Sequence, residues 1–146
     1  MGSMSDNHQT LNRFVEAQEE SYEEIVQELK NGEKVTHWMW YIFPQIAGVG
    51  YSSTAKFFAI QNREEAQAYL DHPILGVRLL ECTKIVMAHQ GKNAVEIFGA
   101  VDATKFRSSM TLFMALPGGD WVFQEAIEKY FGGEPDPKTL DILSRL

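Results

Sequence analysis

The side chains best suited to chemistry lie in a run from His37 to Ser53, in which Trp38 and Trp40 stand two residues apart. Their flat apolar faces could stack on a nucleobase or a nicotinamide ring, an interaction worth roughly 1–3 kcal/mol per base by analogy with nucleic-acid binding. The same rings would serve equally well as core. A buried indole must also satisfy its N–H group, so we expect the run at the edge of the core, where a pocket can form.

A loop of small residues follows the aromatic run and supplies four further candidate ligand-binding positions, Gln45, Gly48, Gly50 and Ser52. The loop is small and flexible like a phosphate-binding loop, but it lacks the P-loop spacing and a clear preceding strand. If a helix begins after Ser52, its free amides and Lys56 could hold an anion. A plain turn with a serine cap is the alternative.

A polar block from Asp102 to Ser109 is the second candidate region. Lys105 and Ser109 are four residues apart and share one helix face, and Asp102 lies a turn before them. We take Lys105, Ser108 and Ser109 as candidate ligand-binding residues, while an aspartate cap with a salt-bridged lysine is the structural alternative. Elsewhere, Arg78 could pair bidentately with a phosphate or with a carboxylate such as Glu81.

Three residues are candidates for acid–base catalysis: His37, His72 and Asp102. Either histidine could equally be a helix cap or a hydrogen-bonded structural residue, and Asp102 could be a cap. The four histidines, His8, His37, His72 and His89, show no metal-ligand spacing. We therefore expect no metal and no cofactor.

Length and composition bound the class of protein. A chain of 146 residues, 45% hydrophobic and 23% charged, is expected to form one globular domain. Its net charge of −7 argues against nucleic acid as the main partner, because such binding needs clustered Lys and Arg. Residues 34–110 nevertheless carry eight bases and six acids, which favours a small anionic ligand near the middle of the chain or reflects chance variation along a solvated surface.

The same features predict where the protein is found. A single cysteine, Cys82, excludes an internal disulfide and fits a reducing compartment. The sequence has no apolar run long enough for a bilayer and no signal-peptide pattern, so we expect a cytoplasmic protein without a membrane partner. Residues 1–3 are interpreted as an expression-tag remnant, and residues 4–146 as the single native domain.

Apolar residues spaced by three and four predict the secondary structure. The first helix is expected to start at Leu11 and to run unbroken to a left-handed cap at Gly32. The other predicted helix starts are capping residues or first-turn prolines at Thr36, Asn62, His72-Pro73, Asn93, Asp102, Asp120 and Asp136. No sustained alternation of period two is present, so we predict an all-α domain of seven or eight helices in an irregular arrangement.

Several long motifs carry a family resemblance. They are His37-Trp38-Met39-Trp40-Tyr41-Ile42-Phe43-Pro44-Gln45, Tyr69-Leu70-x-His72-Pro73-x-Leu75-Gly76, Ile97-Phe98-Gly99 and Lys105-Phe106-Arg107-Ser108-Ser109-Met110. With these motifs the chain resembles the Domain-of-Unknown-Function 1810 family of small bacterial and fungal proteins. The resemblance implies a compact, mostly helical cytoplasmic domain without an agreed activity. Some members are labelled calpastatin, but this composition is that of a folded domain, unlike the disordered calpastatin inhibitors.

Two functions from different classes follow. The first is a pocket for a nucleotide-like or other anionic small molecule, extending to hydrolysis of an ADP-ribose-related N-glycoside. The helical layout is similar to that of the NADAR group of ADP-ribose-linked enzymes, which suggests this substrate class by analogy. The second is a non-catalytic binding module, in which the aromatic run forms a groove or core and the acidic first helix faces a protein partner.

Overall fold

The computed structural model describes the backbone of residues 3–146 and the side chains from Thr10 onward. This part of the chain forms ten helices and no strand, which confirms the all-α prediction. The helices are α1 (Ser3–Glu19), α2 (Tyr22–Asn31), α3 (Met39–Ile42), α4 (Ser53–Phe57), α5 (Arg63–Asp71), α6 (Leu75–Ala88), α7 (Ala94–Phe98), α8 (Ala100–Met114), α9 (Trp121–Phe131) and α10 (Pro137–Ser144). None of them is long and apolar enough to cross a membrane. Residues 1 and 2 of the expected tag remnant, and the side chain of His8, lie outside the described part.

The predicted first helix is two helices, and this part of the prediction was wrong. The chain turns after Glu19, where the amide of Ser21 donates to the carbonyl of Gln18 at 3.2 Å instead of continuing the helical ladder. Neither Gly nor Pro marks this break in the sequence. The left-handed cap is confirmed: Gly32 has φ 71°, and its amide reaches the carbonyl oxygens of Glu28 and Leu29. This break and the short α4 raise the count from eight to ten, since the short helix α3 in the aromatic run was among those predicted.

Most of the predicted caps are present. Asn62, Asn93, Asp120 and Asp136 each accept a hydrogen bond from a backbone amide in the first turn of the following helix, and Asn93 forms a complete capping box with Glu96. Thr36 was predicted wrongly, because α3 begins three residues later, after Trp38, without a side-chain cap. Asp102 was also predicted wrongly as a cap, because α8 already begins at Ala100.

Helix α8 lies at the centre of the packing. Phe106 and Phe113 are fully buried on it, and α8 contacts α7, α9 and α10. The ring of Phe106 meets Phe43 edge-on at 5.0 Å between centroids and stacks on Phe98 at 4.7 Å. These ring contacts connect the end of the aromatic run, α7 and α8, so the aromatic run is positioned against the first half of α8.

Candidate functional site

Glu28 on α2 holds the segment that leads into the aromatic run. One carboxylate oxygen accepts from the Val35 amide at 2.7 Å, the Thr36 amide at 3.1 Å and the Trp38 Nε1 at 2.9 Å. The other oxygen accepts from the Thr36 hydroxyl at 2.5 Å. Burial alone would raise the pKa of Glu28, but these hydrogen bonds outweigh it and lower the pKa to about 2. The Trp38 ring is thereby fixed in the core, 1% exposed, with its N–H group satisfied.

A cavity of about 400 Å³ lies between this segment and the start of α8. We call it the aromatic cavity. The neighbouring indole of Trp40 is only partly buried and presents its ring to this space. The lining residues are Lys34, His37, Trp38, Met39, Trp40, Phe98, Gly99, Ala100, Val101, Asp102 and Lys105.

Charged groups at one side of the aromatic cavity form a triad. The carboxylate of Asp102 lies 2.7 Å from Lys34 Nζ and 3.2 Å from Lys105 Nζ. Lys105 Nζ also sits 4.6 Å from the centroid of the Trp40 ring, a cation–π distance. Two ammonium groups therefore flank one carboxylate, and the group carries a net positive charge in a protein whose net charge is −7.

The N-terminus of α8 borders the same cavity. Gly99 adopts φ 88°, a value that L side chains rarely accept, and it lets α7 end and α8 begin within one residue. No side chain caps α8, and within the described part of the chain the amides of Ala100, Val101 and Asp102 find no hydrogen-bond acceptor. These amides add positive partial charge beside the triad.

A second cavity of about 280 Å³ adjoins the first, and Lys105 lines both. We call it the cationic cavity. Its lining residues are Gln45, Val49, Gly50, Thr104, Lys105, Arg107, Ser108, Asp136 and Lys138. A narrow cleft lined in part by Trp40, Gln45 and Gly50 touches both cavities through shared residues. The two cavities and the cleft therefore meet around Trp40, Gln45 and Lys105, each of which lines two of the three spaces.

Several candidate residues from the sequence meet here. His37, Trp38, Trp40, Asp102 and Lys105 line the aromatic cavity, and Gln45, Gly50, Lys105 and Ser108 line the cationic cavity. The Ser108 hydroxyl donates to the carboxylate of Asp136 and to the carbonyl of Thr104, both at 3.1 Å. The imidazole of His37 is exposed and forms no hydrogen bond within the described part of the chain.

Other candidates lie apart from these cavities. Ser52 caps α4 by accepting from the Ala55 amide at 3.0 Å, which is the serine-cap alternative, and Lys56 is exposed on that helix. Gly48 adopts φ 102° beside the side chain of Ile142. None of the three lines either cavity.

Three further candidates, His72, Arg78 and Ser109, also lie outside the two cavities. His72 Nδ1 accepts from the amides of Ile74, the N-cap of α6, and Leu75, its first residue, so it stabilises the turn that leads into this helix. The guanidinium of Arg78 lies over the Tyr22 ring at 4.3 Å and donates to the buried amide oxygen of Gln18 at 3.2 Å. Ser109 is fully buried, and its hydroxyl finds no hydrogen-bond partner in the described part of the chain.

Sequence reasoning missed three cations of the site: Lys34, Arg107 and Lys138. Lys34 follows the Gly32 cap, outside any helical pattern, although its side chain is only 5% exposed. Lys138 follows the Asp136-Pro137 helix start, whose capping role was recognised. Arg107 belongs to the motif from Lys105 to Met110, and its position two residues after Lys105 was the one feature of the sequence that could have indicated its place in the site. Groups of three or more His, Cys, Asp or Glu side chains that could hold a metal are not found among the described residues.

Fold and cavities together define an all-α protein whose candidate site lies between α3 and the first half of α8. Over residues 8–143 the chain matches the family described as protein of unknown function (DUF1810), and it belongs to this family, as the motifs indicated. It is similar to the crystal structure of the conserved hypothetical protein Rv1873 from Mycobacterium tuberculosis. The two share 46% identity with a TM-score of 0.90, over 92% of this chain and 96% of that chain. No curated protein matches the chain.

Proposed function

We propose that this protein binds a small anionic, nucleotide-like molecule in the aromatic cavity. The observation that carries the proposal is the half-buried ring of Trp40, which faces a ligand-sized space with Lys105 Nζ at 4.6 Å. A planar ring stacked on an aromatic side chain gains about 1–3 kcal/mol. The volume of about 400 Å³ falls within the range of ~300–1,000 Å³ that is usual for small-molecule sites.

The charges around Trp40 support an anionic ligand. Asp102 neutralises only one of the two ammonium groups beside it, so a ligand anion would meet the other. The unpaired amides at the start of α8 add to this attraction, because the N-terminus of a helix carries a partial positive charge. Lys34 is held in place by the carbonyl of Thr36 at 2.5 Å as well as by Asp102, so its position requires little reorganisation on binding.

Tryptophan fluorescence and thermal shift test the proposal with a panel of nucleosides, nucleotides and ADP-ribose. We expect at least one compound to raise the melting temperature and to change the fluorescence. The response should vanish in Trp40→Ala and persist in Trp121→Ala, a matched control whose ring is 72% exposed and lies outside both cavities. Flat responses across the panel, together with a protein partner recovered by pull-down, would instead favour the non-catalytic interaction module.

A hydrolase acting on an ADP-ribose-related N-glycoside is the second candidate function, and His37 favours it. Its imidazole is exposed to the aromatic cavity and has no hydrogen-bond partner among the described residues, so it is available to move a proton. Chromatography of ADP-ribosyl N-glycosides incubated with the protein would detect cleavage. His37→Ala should then lower the rate by roughly 10²–10⁴-fold while ligand binding persists. Binding of these compounds without cleavage would exclude the hydrolase and leave a protein that only binds its ligand.

A further inference from the structure

We infer that the cationic cavity receives a phosphoryl group of the ligand whose ring lies against Trp40. The inference rests on the proposed function and deepens it, because it assigns the ligand to the phosphorylated nucleosides. Lys105, Arg107 and Lys138 line this cavity, whereas Asp136 is its one carboxylate. Three cations on one small cavity contrast with a chain in which acids outnumber bases by 20 to 13.

The one carboxylate is already occupied. Asp136 Oδ2 accepts from the Ser108 hydroxyl at 3.1 Å, the Thr139 amide at 3.1 Å and the Thr139 hydroxyl at 2.5 Å. These neutral donors stabilise the carboxylate, which caps α10 and keeps its negative charge. Lys105, Arg107 and Lys138 outnumber this carboxylate on the cavity wall, and the Glu134 carboxylate, which lies 3.9 Å from Arg107 Nη2, is 83% exposed and does not line the cavity.

The cations retain donors for a ligand. Arg107 uses Nε on the carbonyl of Glu134 at 2.9 Å and Nη2 on the carbonyl of Pro135 at 3.2 Å. Its Nη1 group has no hydrogen-bond partner in the described part of the chain. Lys138 Nζ donates one of its three protons to the Tyr51 hydroxyl at 2.5 Å, which holds the ammonium group in place and leaves two protons for a phosphate.

Gln45 supplies a neutral donor. Its side chain is partly buried, lines both the cationic cavity and the cleft beside Trp40, and makes no hydrogen bond within the described part of the chain. A polar side chain in this position gains from a partner, because burying an amide without one costs free energy. A phosphate oxygen is a suitable acceptor.

The two cavities suit two parts of one molecule. They share Lys105, and at about 280 Å³ the cationic cavity is smaller than the usual site for a whole ligand. A ring on Trp40 with a phosphoryl group beyond Lys105 would occupy both. This arrangement predicts selectivity for nucleoside monophosphates over nucleosides and over phosphate alone.

Calorimetric titration tests the inference with four nucleosides, their 5′-monophosphates, ribose 5-phosphate and inorganic phosphate. In the wild type we expect a monophosphate to bind at least about tenfold more tightly than its nucleoside, since charge-assisted hydrogen bonds are the strong ones. Lys138→Gln should reduce this ratio severalfold and leave nucleoside affinity unchanged. Lys84→Gln, the same change on α6 outside both cavities, should leave the ratio intact.

The outcomes separate this inference from the proposed function. A nucleoside that binds through Trp40 without gain from its phosphate, or a ratio that Lys138→Gln does not change, overturns the phosphoryl assignment alone. If inorganic phosphate or ribose 5-phosphate binds as tightly as the nucleoside monophosphate, the ring contributes nothing, and the assignment of one ligand to both cavities is wrong. No binding by any compound would overturn both proposals.

Discussion

The Lys105 ammonium group lies 4.6 Å from the centroid of the Trp40 ring, where the aromatic cavity meets the cationic cavity. The contact joins a residue of α3 to a residue of α8, and Asp102 holds the lysine from the other side at 3.2 Å. Lys105 is thus oriented by two partners and has a third ammonium proton for a ligand. Lys105 depends on the hydrogen bonds and packing of the segments around it, so we expect mutations of these contacts to change the stability of the folded protein.

Replacing Glu28 by Gln should lower the free energy of unfolding by about 1.5–3 kcal/mol, the usual contribution of hydrogen bonds to a charged group. The amide retains one oxygen acceptor, whereas the carboxylate serves four donors of the segment that leads to Trp38. Urea unfolding followed by tryptophan fluorescence measures the change. Glu33→Gln, at an exposed position just after α2, is the control and should change stability by less than about 0.5 kcal/mol. Equal losses in the two variants would contradict this role of Glu28.

The contribution of Glu28 should also depend on pH. Its pKa in the folded protein is about 2, below the ordinary value of 4.5, so folding favours the ionised form. The stabilisation is therefore fully present above pH 4.5 and is lost as the pH falls from 4.5 towards 2. The difference in unfolding free energy between the wild type and Glu28→Gln, measured at pH 7, 4.5 and 3, should shrink across this series. A difference that stays constant would exclude the carboxylate as its source.

Asp102→Asn should destabilise the protein by about 2 kcal/mol, because it leaves Lys34 and Lys105 without their shared anion. Lys34 is 5% exposed and cannot turn freely to water, which distinguishes this pair from a surface ion pair. The matched control is Asp141→Asn, which breaks a pair with Arg145 whose side chains are 57% and 75% exposed; we expect at most about 0.5 kcal/mol there. Thermal unfolding at low and high salt would compare the two, and similar losses would refute the distinction.

Two adjacent serines should respond oppositely to alanine. Ser109 buries a hydroxyl without a partner, so Ser109→Ala is expected to be neutral or to stabilise by up to about 1 kcal/mol. Ser108→Ala removes the hydrogen bond to Asp136 and should cost about 1 kcal/mol. Urea unfolding measures both. A loss of ligand response in Ser109→Ala without a loss of stability would restore Ser109 to the site.

Gly76→Ala should be strongly destabilising, by about 3 kcal/mol or more, although alanine is normally the better helix former. Gly76 lies in the first turn of α6, and a Cβ atom there would stand 1.9 Å from the carbonyl oxygen of Leu70. The backbone of α5 cannot move away without disturbing the packing of both helices. Gly118→Ala is the control, since its Cβ would meet only the end of the Gln67 side chain at 3.2 Å. Thermal melting of both variants measures the change in stability. A Gly76→Ala protein as stable as the wild type would show that α5 can move away from the added Cβ atom without cost.

Local signals account for what could be predicted about the fold. The caps at Asn62, Asn93, Asp120 and Asp136 were recognisable because a capping side chain bonds to amides only two or three residues away. The break at Ser21 was not, because the apolar spacing continues across it and neither Gly nor Pro is present. Asp102 was assigned to the wrong role for a related reason: Gly99 already starts α8, and the carboxylate pairs with Lys34, which is 68 positions earlier in the chain.

The sequence by itself determined the all-α class, the four helix starts at Asn62, Asn93, Asp120 and Asp136, and the family, since periodicity, caps and motifs are properties of neighbouring residues. Only the tertiary structure decided that Trp38 is fully buried while Trp40 stays partly exposed at the aromatic cavity, because the Glu28 carboxylate that binds Trp38 comes from α2. It likewise brought Lys34, Lys105 and Lys138 to the walls of the two cavities and left Arg78 and His72 elsewhere. Such convergence depends on how helices pack over long separations, which no local pattern encodes.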